Sequence, residues 1–288
     1  MRKTLAFAVI AIGAGLVSGV AATASQSPQF EWVQLFNGKD LTGWTPKFSH
    51  HPLNVNLHDT FRVEDGLLKV RYDKWTDFNG EFGHLFYKEP YSHYLIAAEY
   101  RFVGEQLPAS RLGWAVRNNG LMLHAQDPAT MTLDQDFPIS IEVQLLGGPG
   151  TGAVRPTANL CTPGTHVVMG GELRTAHCIT AKAPTFDGDT WVRVEVLVQG
   201  DEVIRHIVNG QTVLEYSKPQ IGGGNASPTD PAVKIDGTLL QQGFITIQSE
   251  TAPTDFRKIE LVNLEGCTDP KATNFKGYFT KSNPGMCR

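Results

Sequence analysis

Apolar residues in this chain recur most often at every second position, in short runs. The run PISIEVQLLGG, residues 138–148, sets Ile139, Ile141, Val143 and Leu145 on one side and Ser140, Glu142 and Gln144 on the other. A period of two marks a half-buried strand, because successive side chains leave opposite faces of the pleat. The same alternation appears in TWVRVEVLV, where Val192, Val194, Val196 and Val198 oppose Trp191, Arg193 and Glu195. In GFITIQSE, Ile245 and Ile247 oppose Thr246, Gln248 and Glu250; in GLMLHAQ, Leu121, Leu123 and Ala125 oppose Met122, His124 and Gln126. Further strand signals are EWVQLF, TFRVEDGLLKVR, GHLFYK, YLIAAEYRFV, LGWAVRN, VIRHIVNG, QTVLEY and FRKIELVNLEG, separated by Gly, Asn, Asp and Pro. The Asn209-Gly210 pair inside VNGQTV predicts a two-residue hairpin with a primed turn. Roughly a dozen strands with no crossover helix predict an all-β protein, a two-sheet sandwich or jelly roll.

The polar faces carry amide, carboxylate, imidazole and guanidinium groups, a donor and acceptor set suited to hydroxyl-rich ligands. Glu142, Gln144 and Gln248 are the candidates for a site floor. Arg193, Glu195 and Glu250, taken singly, read instead as solvated outer-face residues, and His206 beside its apolar stripe as a structural histidine. Two long segments, 147–190 and 217–240, interrupt the strand pattern, and loops of that length are expected to be lids or binding walls.

The first 24 residues read differently. Arg2 and Lys3 precede an apolar run from Leu5 to Val20 that ends in Ala22-Thr23-Ala24, the pattern of a secretory signal peptide. The run is short for a membrane span, and no later run approaches the required length of about 18 residues. The mature protein is therefore expected to be exported, periplasmic or extracellular, with no stable membrane span. The whole chain carries a net charge of −4, and no basic run interleaves with aromatics, which argues against a nucleic-acid partner.

Export also frames the cysteines. Cys161, Cys178, Cys267 and Cys287 allow three pairings. Proximity favours Cys161–Cys178 and Cys267–Cys287, each closing a loop worth roughly 3 kcal/mol in the chain-entropy model. A zinc site built from Cys161, His166, His177 and Cys178 competes, but its spacing matches no CxxC pattern. The ending GCTDPKATNFKGYFTKSNPGMCR, residues 266–288, is polar and turn-rich and reads as a cap stapled between Cys267 and Cys287. Asp269 and Asn274 offer that cap oxygen ligands, though plain turn roles account for them. The expected organisation is a signal peptide at 1–24, one domain at 25–265 and the cap at 266–288.

Several segments in order carry a family resemblance: LFNGKDLTGW (35–44), EYRF (99–102), RNNGLMLH (117–124), IEVQLLGG (141–148), TWVRVEVLVQGDEVIRHIVNG (190–210), GFITIQ (243–248) and FRKIEL (256–261). The series resembles the 3-keto-disaccharide hydrolase (3-keto-glucoside lyase/hydratase) domain family over about residues 31–265. The resemblance implies a concanavalin A-like jelly-roll sandwich binding an oxidised carbohydrate on its concave sheet. It carries over Glu142, Gln144, Gln248 and Arg257 as site residues; Glu142, His124 and Arg257 are then the catalytic candidates, and Gln144, Gln248, Asn119 and Trp114 the candidate substrate contacts. It further implies one divalent metal, for which His124 and Glu142 are the tentative ligands and His84 and His166 weaker ones, and no organic cofactor. The chain departs from the family pattern at three places, one of them the long clipped loop with NLCTPGTH at 159–166. Asn118-Asn119-Gly120 leads to His124 where an arginine is usual, and Phe256-Arg257-Lys258-Ile259 replaces Phe-Arg-Asn-Ile.

The implied chemistry is cleavage of 3-keto-glycosides. A ketone at C3 acidifies the C2 proton, so a base such as Glu142 or His124 can remove it. The enolate, steadied by Arg257 or a metal, then expels the C1 substituent, and water adds back. Two alternatives stand beside this. A conventional glycoside hydrolase needs a second carboxyl facing Glu142, with Glu250 or Glu195 on the same sheet. A non-catalytic carbohydrate-binding module would instead rely on stacking by Trp44, Trp75 and Trp114, although Trp44 and Trp191 also read as ordinary core residues.

Overall fold

The alternating runs form two antiparallel sheets stacked face to face, in a computed structural model that describes residues 30–288 apart from Arg111. The expected leader, residues 1–24, lies outside the described residues. One sheet has seven strands, in the order Cys178–Ile179, Asn159–Cys161, Ile141–Leu146, Asn118–Ala125, Phe244–Ser249, Gly83–Tyr87 and Trp44–Phe48. The other has ten. Nine run in the order Glu172–Arg174, Thr165–Met169, Gln211–Ile221, Val203–Val208, Val192–Gln199, His93–Phe102, Thr254–Asn263, Leu67–Val70 and Phe61–Glu64. Val33–Gln34 also pairs with Thr254–Asn263. Among the described residues every helical element is a short 3-10 turn, so the all-β expectation holds.

The two inner faces make one core. Leu121, Leu123, Ile141, Val143, Leu145, Ile245 and Ile247 come from the smaller sheet. Ile96, Tyr100, Val192, Val194, Val196, Val198, Phe256 and Ile259 come from the larger one, all buried. Each such side chain contributes about 1.5–3 kcal/mol on leaving water, which fixes the register, because a one-residue slip would turn every one of them outward. His206 sits in this interior with one ring nitrogen 2.8 Å from the Ala158 carbonyl and the other 2.8 Å from the Tyr216 hydroxyl, as a structural histidine should. The hairpin forms where Asn209-Gly210 predicts it: Val208 pairs with Gln211, and both turn residues have positive φ, 52° and 73°.

Two expectations change. Segment 147–190 is not one long loop; its strands Asn159–Cys161 and Cys178–Ile179 extend the smaller sheet, while Thr165–Met169 and Glu172–Arg174 extend the larger. Trp191 is not a core residue; it lies on the outer face of the larger sheet between the guanidinium groups of Arg101 and Arg257, 4.7 and 4.6 Å from its ring. Both expected disulfides are present, Cys161–Cys178 between the edge strand Cys178–Ile179 and its paired neighbour, and Cys267–Cys287 across the cap. In the cap, Asn274 binds the Met286 carbonyl and the Arg288 amide, and Asp269 accepts the Lys271 amide, so both serve turns.

Gly83 shows how tightly neighbouring strands of the smaller sheet pack: a Cβ there would lie 2.2 Å from the ring of Phe48, its cross-strand partner. Gly83→Ala is expected to destabilise the fold by about 1–3 kcal/mol through overpacking, measured by denaturant unfolding.

Candidate functional site

The face of the seven-stranded sheet turned away from the core is polar where strand alternation places polar residues. Across its middle, Asn159 lies opposite Gln144, Gln144 opposite Gly120, His84 opposite Gln248, and Lys47 opposite His84. Above this row is a cleft of about 430 Å³. Asn118, Glu142, Gln144 and Glu250 form its floor; Pro163, His177 and the Cys161–Cys178 disulfide form one wall; Asp136, Phe137 and Asn225 form another. Trp114, about half exposed, stands at the rim with its ring stacked on Phe82, which also packs against Phe137 at 4.6 Å between centroids.

The floor is organised around Gln248, which is fully buried. Its Nε2 donates to Glu250 Oε1 at 2.8 Å, and Asn118 Nδ2 donates to Glu250 Oε2 at 2.9 Å. Its Oε1 has no donor among the described residues. That oxygen and Glu142 Oε1 both lie within 3 Å of the point where a Cβ on Gly120 would sit. Gly120 therefore makes the room in which the Glu142 carboxyl and the Gln248 amide meet. With Nε2 committed to Glu250, it is the carbonyl oxygen of Gln248 that borders the space shared with Glu142. A buried carboxyl beside an unpartnered carbonyl oxygen gains by keeping its proton, so the geometry favours one carboxylate and one carboxylic acid.

Burial points the same way. Glu142 and Glu250 are 6% and 3% exposed, and desolvation raises both carboxyl pKa values, Glu142 to about 8, with repulsion from Glu142 adding to the rise at Glu250. His84 is held neutral, its pKa pushed down to about 3 by burial and by the Lys47 ammonium.

The structure brings together Glu142, Gln144, Gln248 and Trp114 from the sequence-derived set. It does not bring three others there. Asn119 faces inward, where its Nδ2 donates to the Gln248 carbonyl at 2.9 Å and braces that strand. His124 has φ +47° in a bulge opposite Phe244–Ser249; the extra residue reverses its face, so Nε2 meets the Gly200 carbonyl at 3.0 Å and the ring meets Tyr94. Arg257 sits in a second bulge, on the outer face of the ten-stranded sheet, paired with Glu99 and stacked on Trp191. That face lies across the core from the cleft.

The tentative metal pair His124 and Glu142 is thus not assembled. Cys161, His177 and Cys178 do bring ligand atoms within 4.8 Å of one another, but the two sulfurs are joined as a disulfide and offer no thiolate. This donor set does not fit a metal centre, and no step is assigned to one here. The sequence reading also misplaced Glu250, assigned to a wet outer face, while it placed Arg193 and Glu195 correctly in an outer-face network with Glu99 and Glu260. Asn118 escaped attention, although it is in phase with Met122 and opposite to Leu121. His177, Phe82 and Phe137 come from loops, where alternation gives no signal.

Fold and floor together define an all-β sandwich protein with a paired-carboxyl cleft on the outside of one sheet. The chain belongs to the family of 3-keto-α-glucoside-1,2-lyase-like domains, whose pattern matches residues 31–262, and it is thereby a carbohydrate-active protein. No curated protein sequence matches it. Among solved structures it is similar to a Bacillus subtilis protein of galectin-like fold, with 12% identity, 82% of this chain and 97% of that one covered, and a TM-score of 0.50. It is also similar to two candidate glycosyl hydrolases from Parabacteroides distasonis. One has 17% identity, coverage of 80% and 98%, and a TM-score of 0.48; the other has 16%, 81% and 93%, and 0.46. At 12% identity the likeness to the Bacillus subtilis protein speaks to the fold alone.

A raised carboxyl pKa makes the native state bind more protons than the unfolded chain, so stability is greatest below the unfolded value of about 4.3 and falls as pH rises through the folded value. Glu142→Gln is expected to flatten the decline between about pH 4.5 and 8 and to gain on the order of 2 kcal/mol over wild type at the upper end. Denaturant unfolding across that range checks it.

Proposed function

We propose that the protein is an exported enzyme that cleaves glycosides carrying a ketone at C3. The observation that supports this most directly is the buried pair Glu142 and Glu250, sharing Gln248 in a cleft with an aromatic rim. One ionised and one protonated carboxyl supply the two proton transfers the reaction needs. The base removes the C2 proton, the electrons pass through the C3 enolate, and the C1–O bond breaks as the leaving oxygen takes the acid's proton. Water then adds to C1, giving net hydrolysis. Family membership favours the keto sugar as substrate. The described lining residues include no lysine or arginine, which suits an uncharged sugar. Two disulfides suit an oxidising compartment outside the cytosol.

A second reading has its own support. Because Glu250 shares the floor with Glu142, a conventional two-carboxyl glycoside hydrolase is also served by this site. Glu195, the other residue weighed for that role, lies on the far sheet.

Incubation of residues 25–288 with 3-keto-glucosides and with the matching plain glucosides, with and without a chelator, separates the readings by mass spectrometry. Cleavage of the keto form alone, insensitive to chelation, is the expected result. Cleavage of plain glucosides would transfer the assignment to the second reading, and loss on chelation would demand a metal.

A further inference from the structure

The proposed function needs one acid and one base but does not say which carboxyl is which. We infer that Glu250 is the base and Glu142 the acid, and that Gln248 is the positioning residue that keeps them so. This rests on the keto-glycoside reading. Both Glu250 oxygens accept amide N–H groups, from Asn118 and from Gln248, and donors of this kind stabilise an anion. Glu142 receives no side-chain or backbone donor among the described residues, and its Oε1 and the orphaned Gln248 Oε1 both border the space above Gly120, where a protonated Glu142 can donate. Burial raises both carboxyls, and repulsion from Glu142 adds to the rise at Glu250 only while Glu142 is itself ionised; the two amide donors make Glu250 the better anion and leave the proton on Glu142.

The other ionisable groups around the pair do not reverse this bias. His84, across from Gln248, is neutral at working pH. The Lys47 ammonium is spent on the carbonyls of Phe48 and Leu133, at 2.8 and 3.0 Å. Asp136 accepts the Phe137 and Ser227 amides, His177 has its pKa lowered by burial, and the Tyr72 phenol, bonded to Ser249, has its pKa raised by burial.

The assignment closes as a cycle. Glu250 takes the C2 proton; the C3 enolate forms and collapses, C1=C2 forms, and the leaving oxygen departs with the Glu142 proton. The pair still holds one proton, now on Glu250. Water adds to C1 as Glu142 takes its proton, and Glu250 returns its proton to C2. In the interval the Gln248 amide serves the opposite partners, so a half-turn of that amide matches the exchange of roles.

Isotope exchange tests this. In deuterium oxide, wild-type protein is expected to exchange the C2 hydrogen of a 3-keto-glucoside, followed by proton NMR. Glu250→Gln should lose exchange and cleavage together, by about 100-fold or more. Glu142→Gln should keep exchange yet lose cleavage of alkyl glucosides, with nitrophenyl glucosides, whose leaving group needs no proton, largely restored. Gln248→Leu removes a donor from the Glu250 anion and should move the acid limb of the exchange profile up by about one pH unit, which a purely structural role would not do. Calorimetric binding of the sugar confirms that each variant is folded, with Glu250→Asp as a second base variant that should retain slow exchange. Exchange lost in Glu142→Gln and kept in Glu250→Gln would overturn the assignment alone. No exchange by wild type would overturn the keto-glycoside reading, and the assignment with it.

Discussion

Two buried carboxyl groups and one buried amide lie side by side at the floor of the cleft, and that constraint organises it. It is met because Gly120 lacks a side chain: any Cβ there would lie within 3 Å of both Glu142 and Gln248. With the three groups buried side by side, desolvation and mutual repulsion raise both carboxyls and favour the loss of one of the two charges. On this packing, the proposed shared proton is set by the fold before any substrate arrives.

Everything beneath the floor serves to hold that contact still. The central strands Asn118–Ala125 and Phe244–Ser249 are flanked by paired strands and backed by a core of Leu, Ile and Val side chains. Asn119 ties these two strands together from the core side through the Gln248 carbonyl. The edge is closed by Cys161–Cys178, and Cys161 lies directly opposite Glu142 in register, so the disulfide wall and the acid stand on adjacent strands. The aromatic rim of Trp114, Phe82 and Phe137 excludes water from one side and presents a flat apolar surface to a ring.

Much of this was legible in the sequence because strand alternation is strict wherever one face is buried. The period of two put Ile141, Val143 and Leu145 inward and left Glu142 and Gln144 outward, and the sheet follows it residue for residue. It failed where a bulge adds one residue. At His124 and at Arg257 the count of two is interrupted, and a residue in phase on paper turns to another environment. Glu250 failed for a different reason. Periodicity gives its face but not what covers that face, and the covering segments, 131–137 and 222–228, are loops whose path no local pattern encodes. Proximity was enough for the disulfides, because each pair closes a short loop.

The central claim is that Glu142 and Glu250 hold one proton between them at neutral pH. Its most direct measurement is a carboxyl-carbon NMR titration of protein labelled at glutamate Cδ, with Glu142→Gln and Glu250→Gln assigning the two signals. The account predicts that one carboxyl of the pair stays protonated at pH 7. Two signals that both titrate near the ordinary glutamate value of about 4.3 would contradict it.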